Sequence, residues 1–380
     1  MKSYVLIVGA GPAGMATAIE LASRGLRVCV TDKRHPPLDK SCGEGLMPDG
    51  LNRLKAMGVS LEKEEMHPIV GIRYLDESGP RVEGSFPRPG AGIRRLHLHE
   101  ALRKRAESLG VGFCWGFHAE TLDYDSGEVT FSNGDRIQAD YLVIADGLHS
   151  SLAVQALFKR KPKYPKALKG ARFGVRRHFH KAPWTDHVEV YWTDGAEAYV
   201  TPVSHQEIGV AFLWNRDQIP PSEASFDQLL MRFPILAQRL VDAEPSSRIQ
   251  GAGPLRQKVG APAFGNIALV GDAAGYVDAI TGEGLSIAFH QAEALGRALV
   301  DEDLGAYPSA CREIARVPDM MTELLLWLER RPNIRRRAFS ALEAEPEVFR
   351  HFLAIHTRNR KPSSILGRLP RFGRAFLFGR

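Results

Sequence analysis

Cysteine is scarce: four residues in 380, at positions 29, 42, 114 and 311. They show neither CxxC spacing nor a neighbouring histidine pattern, which argues against a disulfide framework and a zinc site and makes reduced thiols in a cytoplasm the expectation. Internal repeats and low-complexity stretches are missing, and so are zinc-finger, RNP and helix-turn-helix signatures. The excess of 50 Lys+Arg over 44 Asp+Glu therefore does not mark a nucleic-acid binder. A long unbroken apolar run is lacking too. Tyr4 to Leu21 comes nearest, but Gly9, Gly11, Pro12, Gly14 and Glu20 interrupt it, so it is expected to be neither a signal peptide nor a membrane span. What remains is 44% hydrophobic content in a chain too long for one simple core, which implies two lobes and a tail.

The first thirty residues carry a pattern. Tyr4-Val5-Leu6-Ile7-Val8 is the kind of run found in a strand buried on both faces. It feeds Gly9-Ala10-Gly11-Pro12-Ala13-Gly14 and then a helical stretch, Met15 to Ser23. Gly25 closes that helix, Leu26 to Thr31 reads as a second strand, and Asp32 falls about twenty residues after the turn, as in a dinucleotide fingerprint. Gly9 permits the tight turn, Gly11 lets backbone approach a pyrophosphate, and Gly14 lets helix pack on strand, so that the helix N-terminus faces phosphate charge. Asp32 would accept from ribose hydroxyls, and Ala13, Lys33 and Arg34 complete the expected cofactor-binding set at this end.

Two distant segments repeat the strand-then-glycine pattern. Tyr141 to Ala145 ends at Asp146-Gly147. Asn266 to Val270 ends at Gly271-Asp272-Ala273-Ala274-Gly275 and leads through Thr281-Gly282-Glu283-Gly284 into a helix, Leu285 to Leu299. Together with Arg95 ahead of Leu98, Leu102 and Ala106, the set resembles the FAD-binding fold of aromatic hydroxylases, flavin halogenases and geranylgeranyl reductases, from Tyr4 to Leu299. The resemblance implies FAD as cofactor: Asp272 on the ribityl hydroxyls, Gly282 to Leu285 at the flavin ring, Arg95, Asp146, Gly147 and Gly271 along the cleft. A helix terminus near the ring would favour the anionic reduced flavin.

Within that superfamily, Lys40-Ser41-Cys42-Gly43-Glu44-Gly45 looks like the Cys-Gly-(Asp/Glu)-Gly loop of geranylgeranyl and menaquinone-chain reductases, and Gly275 with Glu283 are also similar to those reductases. Cys42 has two readings of equal weight, a thiol beside the flavin and substrate or a small loop residue packed behind Gly43. Glu44 is a candidate acid, although an outward-facing glutamate is the commoner outcome. Ala153 stands where the Asp-Gly segment usually ends in Arg, which casts doubt on pyridine-nucleotide docking there, and Ala279 replaces a common Pro. The Trp-x-Trp-x-Ile-Pro box of halogenases is not recognisable. A second GxGxxG is absent, so NAD(P)H, if it is the donor, must bind transiently.

The expected fold is α/β: a glutathione-reductase-type FAD-binding Rossmann domain (1–69, 94–165 and 262–302), an inserted antiparallel-sheet substrate domain (70–93 and 166–261), and a C-terminal helical region with a basic tail (303–380). Val70 to Phe86 reads as a strand pair around 76–80, Ala171 to Trp214 as several strands roofing the flavin, and Ala224 to Val241 as helical. Trp192, Tyr199, Thr201 and Phe212 are the substrate-facing candidates, each more simply sheet core. The block Leu324 to Leu328 reads as core, a lipid-tail tunnel being the sharper alternative. Residues 361–380 set apolar and aromatic side chains among Lys361 and arginines, either as a peripheral membrane contact or as a tail docked on its own protein. The expected activity is hydride transfer from flavin to a C=C bond of an apolar, isoprenoid or quinone-like molecule. The alternatives are hydroxylation of an aromatic through a C4a-hydroperoxide, and a non-catalytic prenyl-binding escort.

Overall fold

A computed structural model describes residues 3–76, 81–123, 126–153 and 170–378. The expected turn at 77–80, the domain boundary at 165/166 and Arg380 of the tail lie outside the described residues.

The first run forms a strand, Tyr4–Val8, at the centre of a six-stranded sheet. It pairs in parallel with Arg27–Asp32 on one side and Tyr141–Ile144 on the other; Gly112–Trp115 and Ile267–Leu269 extend the parallel set, and a short antiparallel Ala263–Phe264 closes it. The run is apolar throughout because both faces are covered. Val5 and Ile7 pack with the helices Pro12–Ser23, Arg95–Ser108 and Gly284–Val300, while Leu6 and Val8 pack with Val129 and Phe131 of a separate three-stranded sheet. Parallel strands put all their C-terminal ends at one edge, so the glycine turn, Asp146-Gly147 and Gly271-Asp272 meet there.

The second sheet has nine strands, four of them Arg172–His180, His187–Thr193, Ala196–Pro202 and Glu207–Asn215. It is mostly antiparallel, but Met66–Asp76 runs parallel to His187–Thr193, because two separate chain segments meet there with no hairpin to reverse them. Met66–Asp76 also runs through the boundary expected at 69/70. Alternation divides the side chains. Tyr191, Ala198, Val200 and Phe212 pack against two short helices, Phe226–Leu230 and Pro234–Leu240, where the sequence pattern suggests one. Val188, Val190 and Tyr199 face the other way, toward the FAD-type domain and the C-terminal helices Tyr307–Glu329, Pro332–Ala344 and Pro346–His356.

The tail forms a further helix, Leu369–Phe378, despite Pro370 and Gly373. Proline is tolerated in a first helical turn, where its missing N–H has no partner to lose. No helix among the described residues is long and apolar enough to cross a membrane.

Candidate functional site

The sheet edge opens into one cavity of about 580 Å³ that runs between the two sheets and under the C-terminal helices. At the glycine turn the Gly9 N–H donates to the Thr31 carbonyl and the Ala10 N–H to Asp32 Oδ2 at 3.0 Å. Asp32 Oδ1 accepts from the Arg34 N–H at 2.9 Å. The helix Pro12–Ser23 starts at Gly11 with no side-chain cap and no acid in its first turn, so its leading N–H groups remain available to an anion. Arg95 adds a cation. Its guanidinium stands beside Gly11, and its buried Nε has no hydrogen-bond partner among the described residues. Free amides, a guanidinium whose buried Nε is unpartnered among the described residues, and a carboxylate suited to sugar hydroxyls fit the diphosphate and ribose of FAD.

Farther along, the Gly271 N–H donates to Gln291 Oε1 at 2.8 Å, the Asp272 carbonyl accepts from Gln257 Nε2 at 3.1 Å, and Lys40 Nζ lies 3.8 Å from Asp272 Oδ2. Asp146 and Gly147 border the same stretch, with Lys40 Nζ over Gly147. Gly282, Gly284 and Leu285 line the cavity at the start of the helix Gly284–Val300, which also lacks a side-chain cap. Tyr199 OH donates to the Ile280 carbonyl at 3.0 Å and ties the roof to this loop, with Thr201 beside it in the cavity wall.

The Cys42–Gly45 loop sits between the two ends. Cys42, Gly43 and Gly45 line the cavity, and Cys42 Sγ accepts from the Glu44 N–H at 3.4 Å. Glu44 corrects the expectation of an outward-facing side chain: it is buried, with a left-handed backbone (φ 58°). Its carboxylate pairs with His178 Nε2 and accepts from the Arg95 N–H at 2.8 Å, and Arg176 Nη2 lies 3.7 Å away. A positive φ costs a non-glycine residue roughly 1–2 kcal/mol. These buried partners hold it, and they lock the loop to the roof strand Arg172–His180.

Two clusters of buried ionisable groups flank the cavity. Glu283 lies behind Gly282 and Gly284 rather than in the wall, its Oε2 3.3 Å from Nδ1 of His356, which does line the cavity. Burial, reinforced by the Asp49 charge, holds the Glu283 carboxyl well above its ordinary range, and burial pushes the His356 imidazole down to about 4. Both shifts favour the uncharged forms, a protonated Glu283 carboxyl and an unprotonated His356 ring. Asp49 remains ionised: burial opposes this, but His290 and Arg358 hold its carboxyl below the usual value. In the second cluster Arg172 is ringed by Glu197, Asp278 (3.0 Å) and Glu329 (3.7 Å), all buried. They join the roof, the flavin-side loop and the helix Tyr307–Glu329.

The expected site residues therefore converge, with exceptions. Lys33 is exposed and outside the cavity lining, and Gly14 serves packing rather than contact. Trp192 is not substrate-facing: it is enclosed by Tyr74, Phe339 and the Arg335 guanidinium. Phe212 borders the cavity, but its ring stacks on Phe233 on the far face of the sheet. Leu324, Leu325, Trp327 and Leu328 are cavity wall instead of plain core. Gln257, Gln291, His178 and His356 carry no local signal and were missed, since each matters only through a partner distant in sequence; Lys40 lies in the loop Lys40 to Gly45 but was given no role there.

Comparison with known proteins agrees with this geometry. The menaquinone reductase of Mycobacterium tuberculosis is 27% identical over 321 residues, covering 79% of this chain and 77% of that protein, and its Mycolicibacterium smegmatis counterpart is 26% identical, covering 81% and 79%. The 2-heptyl-3-hydroxy-4(1H)-quinolone synthase of Mycobacteroides abscessus is 25% identical, covering 82% and 86%. A flavoprotein/dehydrogenase from Cytophaga hutchinsonii has the same fold, with a TM-score of 0.78 at 16% identity over 94% of this chain and 93% of that one. A flavin-dependent brominase matches equally well, with a TM-score of 0.78 at 16% identity over 98% and 100%. The FAD binding domain family matches residues 2–306; the chain belongs to that family and is an FAD-dependent oxidoreductase.

Proposed function

We propose that this enzyme is a geranylgeranyl-reductase-like reductase that delivers a hydride to a C=C bond of an apolar isoprenoid or quinone-like molecule, with NAD(P)H as the transient electron donor. The observation that carries this reading is the far end of the cavity. Beyond the flavin-side loop its walls are Ile72, Val188, Leu325, Phe339, Phe349 and Phe352, an apolar chamber that, among the described residues, presents no cation or carboxylate to orient a polar aromatic acid. The menaquinone reductases support it at 27% identity, as does the Cys42–Gly45 loop. Bound FAD would supply the hydride chemistry. The chain's own residues would then have these roles: Gly11, Ala13 and Arg95 would hold the diphosphate, Asp32 the ribose and Asp272 the ribityl hydroxyls, with the Gly282–Leu285 backbone at the ring end. Cys42, Tyr199 and Thr201 border the reacting end, and Glu44 fixes the loop that carries Cys42. The Glu283–His356 pair holds the proton that completes the reduction. Glu283→Gln, which removes that proton while keeping shape, is expected to lower turnover roughly a hundredfold and raise the solvent isotope effect with flavin content unchanged. Unaltered turnover would discard the pair as proton source.

A second reading, monooxygenation of an aromatic, is favoured by the quinolone synthase likeness. Incubating flavin-loaded enzyme with NADPH and a panel of prenylated quinones and phenols, in air and under nitrogen, separates the two. The reductase adds two hydrogens to a quinone side chain in both atmospheres. A product heavier by one oxygen, formed only in air, would overturn it.

A further inference from the structure

The C-terminal helices build the chamber, and they also build its mouth. Leu324 and Trp327 line the cavity yet are 41% and 42% exposed, so they stand where its wall meets solvent. The tail helix Leu369–Phe378 packs on the helix Pro332–Ala344 and reaches the same cavity. Phe372 and Phe376, one turn apart, both enter the cavity lining, whereas Arg371 and Arg374 on its other sides are exposed, and so is Leu377 at 72%. Leu366, at 64%, and Met320, at 50%, add apolar surface on the neighbouring segments. Arg331 covers the Trp327 ring at 4.7 Å, an aromatic–arginine pair suited to an interface between apolar and wet surroundings. After Glu347 the sequence holds no acid, while Lys361, Arg368, Arg371 and Arg374 all fall in or beside the tail.

We infer that this rim docks on an anionic lipid bilayer, with Trp327, Leu366 and Leu377 entering the headgroup boundary, the tail arginines over lipid phosphates, and the chamber opening onto the bilayer. Exposed apolar side chains ringed by one sign of charge suit an interfacial surface. The sign selects anionic lipid, and the position explains why the tail covers an apolar chamber with phenylalanines. The inference rests on the proposed apolar substrate for its purpose, but its test does not, since docking is measured without turnover. Full-length flavin-loaded protein is floated with vesicles of phosphatidylglycerol in phosphatidylcholine, and with phosphatidylcholine alone. Binding to the anionic vesicles at low salt, weakened by high salt, is expected. Arg371→Gln with Arg374→Gln should cut partitioning roughly thirtyfold, about fivefold per charge. Brominated lipid should quench a fraction of the tryptophan fluorescence that Trp327→Phe removes. Failure to bind anionic vesicles at low salt overturns the inference, as does binding that leaves Trp327 unquenched. Either failure leaves the product assay, and the reductase reading, untouched.

Discussion

Arg172→Gln is expected to lose about 3–5 kcal/mol of stability at neutral pH, the usual consequence of removing one partner from a buried ion cluster, and to lower the thermal midpoint by roughly 5–10 °C. The guanidinium is 4% exposed and its three carboxylate neighbours 0–3%, so solvent screens little of the interaction. Burial alone would weaken its hold on its proton; Glu197 and Asp278 outweigh that and keep it charged. One cation cannot neutralise three buried carboxylates. Burial, partly offset by Arg172, pushes Glu197 up to about 7, and burial also raises Asp278 and Glu329. A carboxyl whose pKa rises on folding keeps a proton that the unfolded chain has released. Native stability therefore falls as pH climbs from the ordinary glutamate range through about 7, and then levels. Without Arg172 the three groups lose their counter-charge and rise further, which makes the fall steeper. The deficit of the variant should be small near pH 5 and largest near pH 8, and adding Glu329→Gln should recover part of it. A deficit independent of pH between those limits would show that packing, not charge, holds these elements together.

The same cluster shows why some of the molecule was legible in sequence and some was not. The strands Tyr4–Val8, Tyr141–Ile144 and Ile267–Leu269 announce themselves because a parallel strand covered on both faces must be apolar at every position, and the glycines that follow meet steric needs set within a few residues. The dinucleotide end of the site could be read for that reason. Arg172, Glu197, Asp278 and Glu329 come from four separate elements, and nothing local distinguishes a buried charge from a solvated one. Glu44 was misjudged on the same ground: its partner His178 is 134 residues away, and exposure is the default for a lone glutamate. Trp192 sits in a strand whose alternation places it on the correct face. It was covered by Phe339 and Arg335, from helices whose docking no pattern in the strand foretells. The tail's apolar and basic residues were visible, but their division between cavity and solvent depends on where Leu369–Phe378 comes to rest.

The glycine turn supports the sharpest test, because two of its glycines should fail in different ways. A methyl group on Gly14 would stand 1.8 Å from the Gly9 carbonyl oxygen, far inside contact distance and against backbone that cannot swing aside. Gly9 cannot yield: its φ is +109° and a side chain there would meet the Ala145 carbonyl at 2.4 Å. Gly14→Ala must therefore push the helix Pro12–Ser23 off the central strand, and it is expected to yield protein that is colourless as purified and melts well below wild type. Gly11 is different. The nearest atom to a methyl there is Arg95 Nη2 at 3.6 Å, ordinary contact, so nothing in the apo fold objects. What the methyl would occupy is the space over the helix N-terminus where a diphosphate must approach the free amides. Gly11→Ala is expected to fold with an unchanged apo melting temperature and bind FAD at least tenfold more weakly by fluorescence titration. Should Gly11→Ala titrate like wild type, the diphosphate does not lie over this helix terminus, and the roles given to Arg95 and Asp32 fall with it.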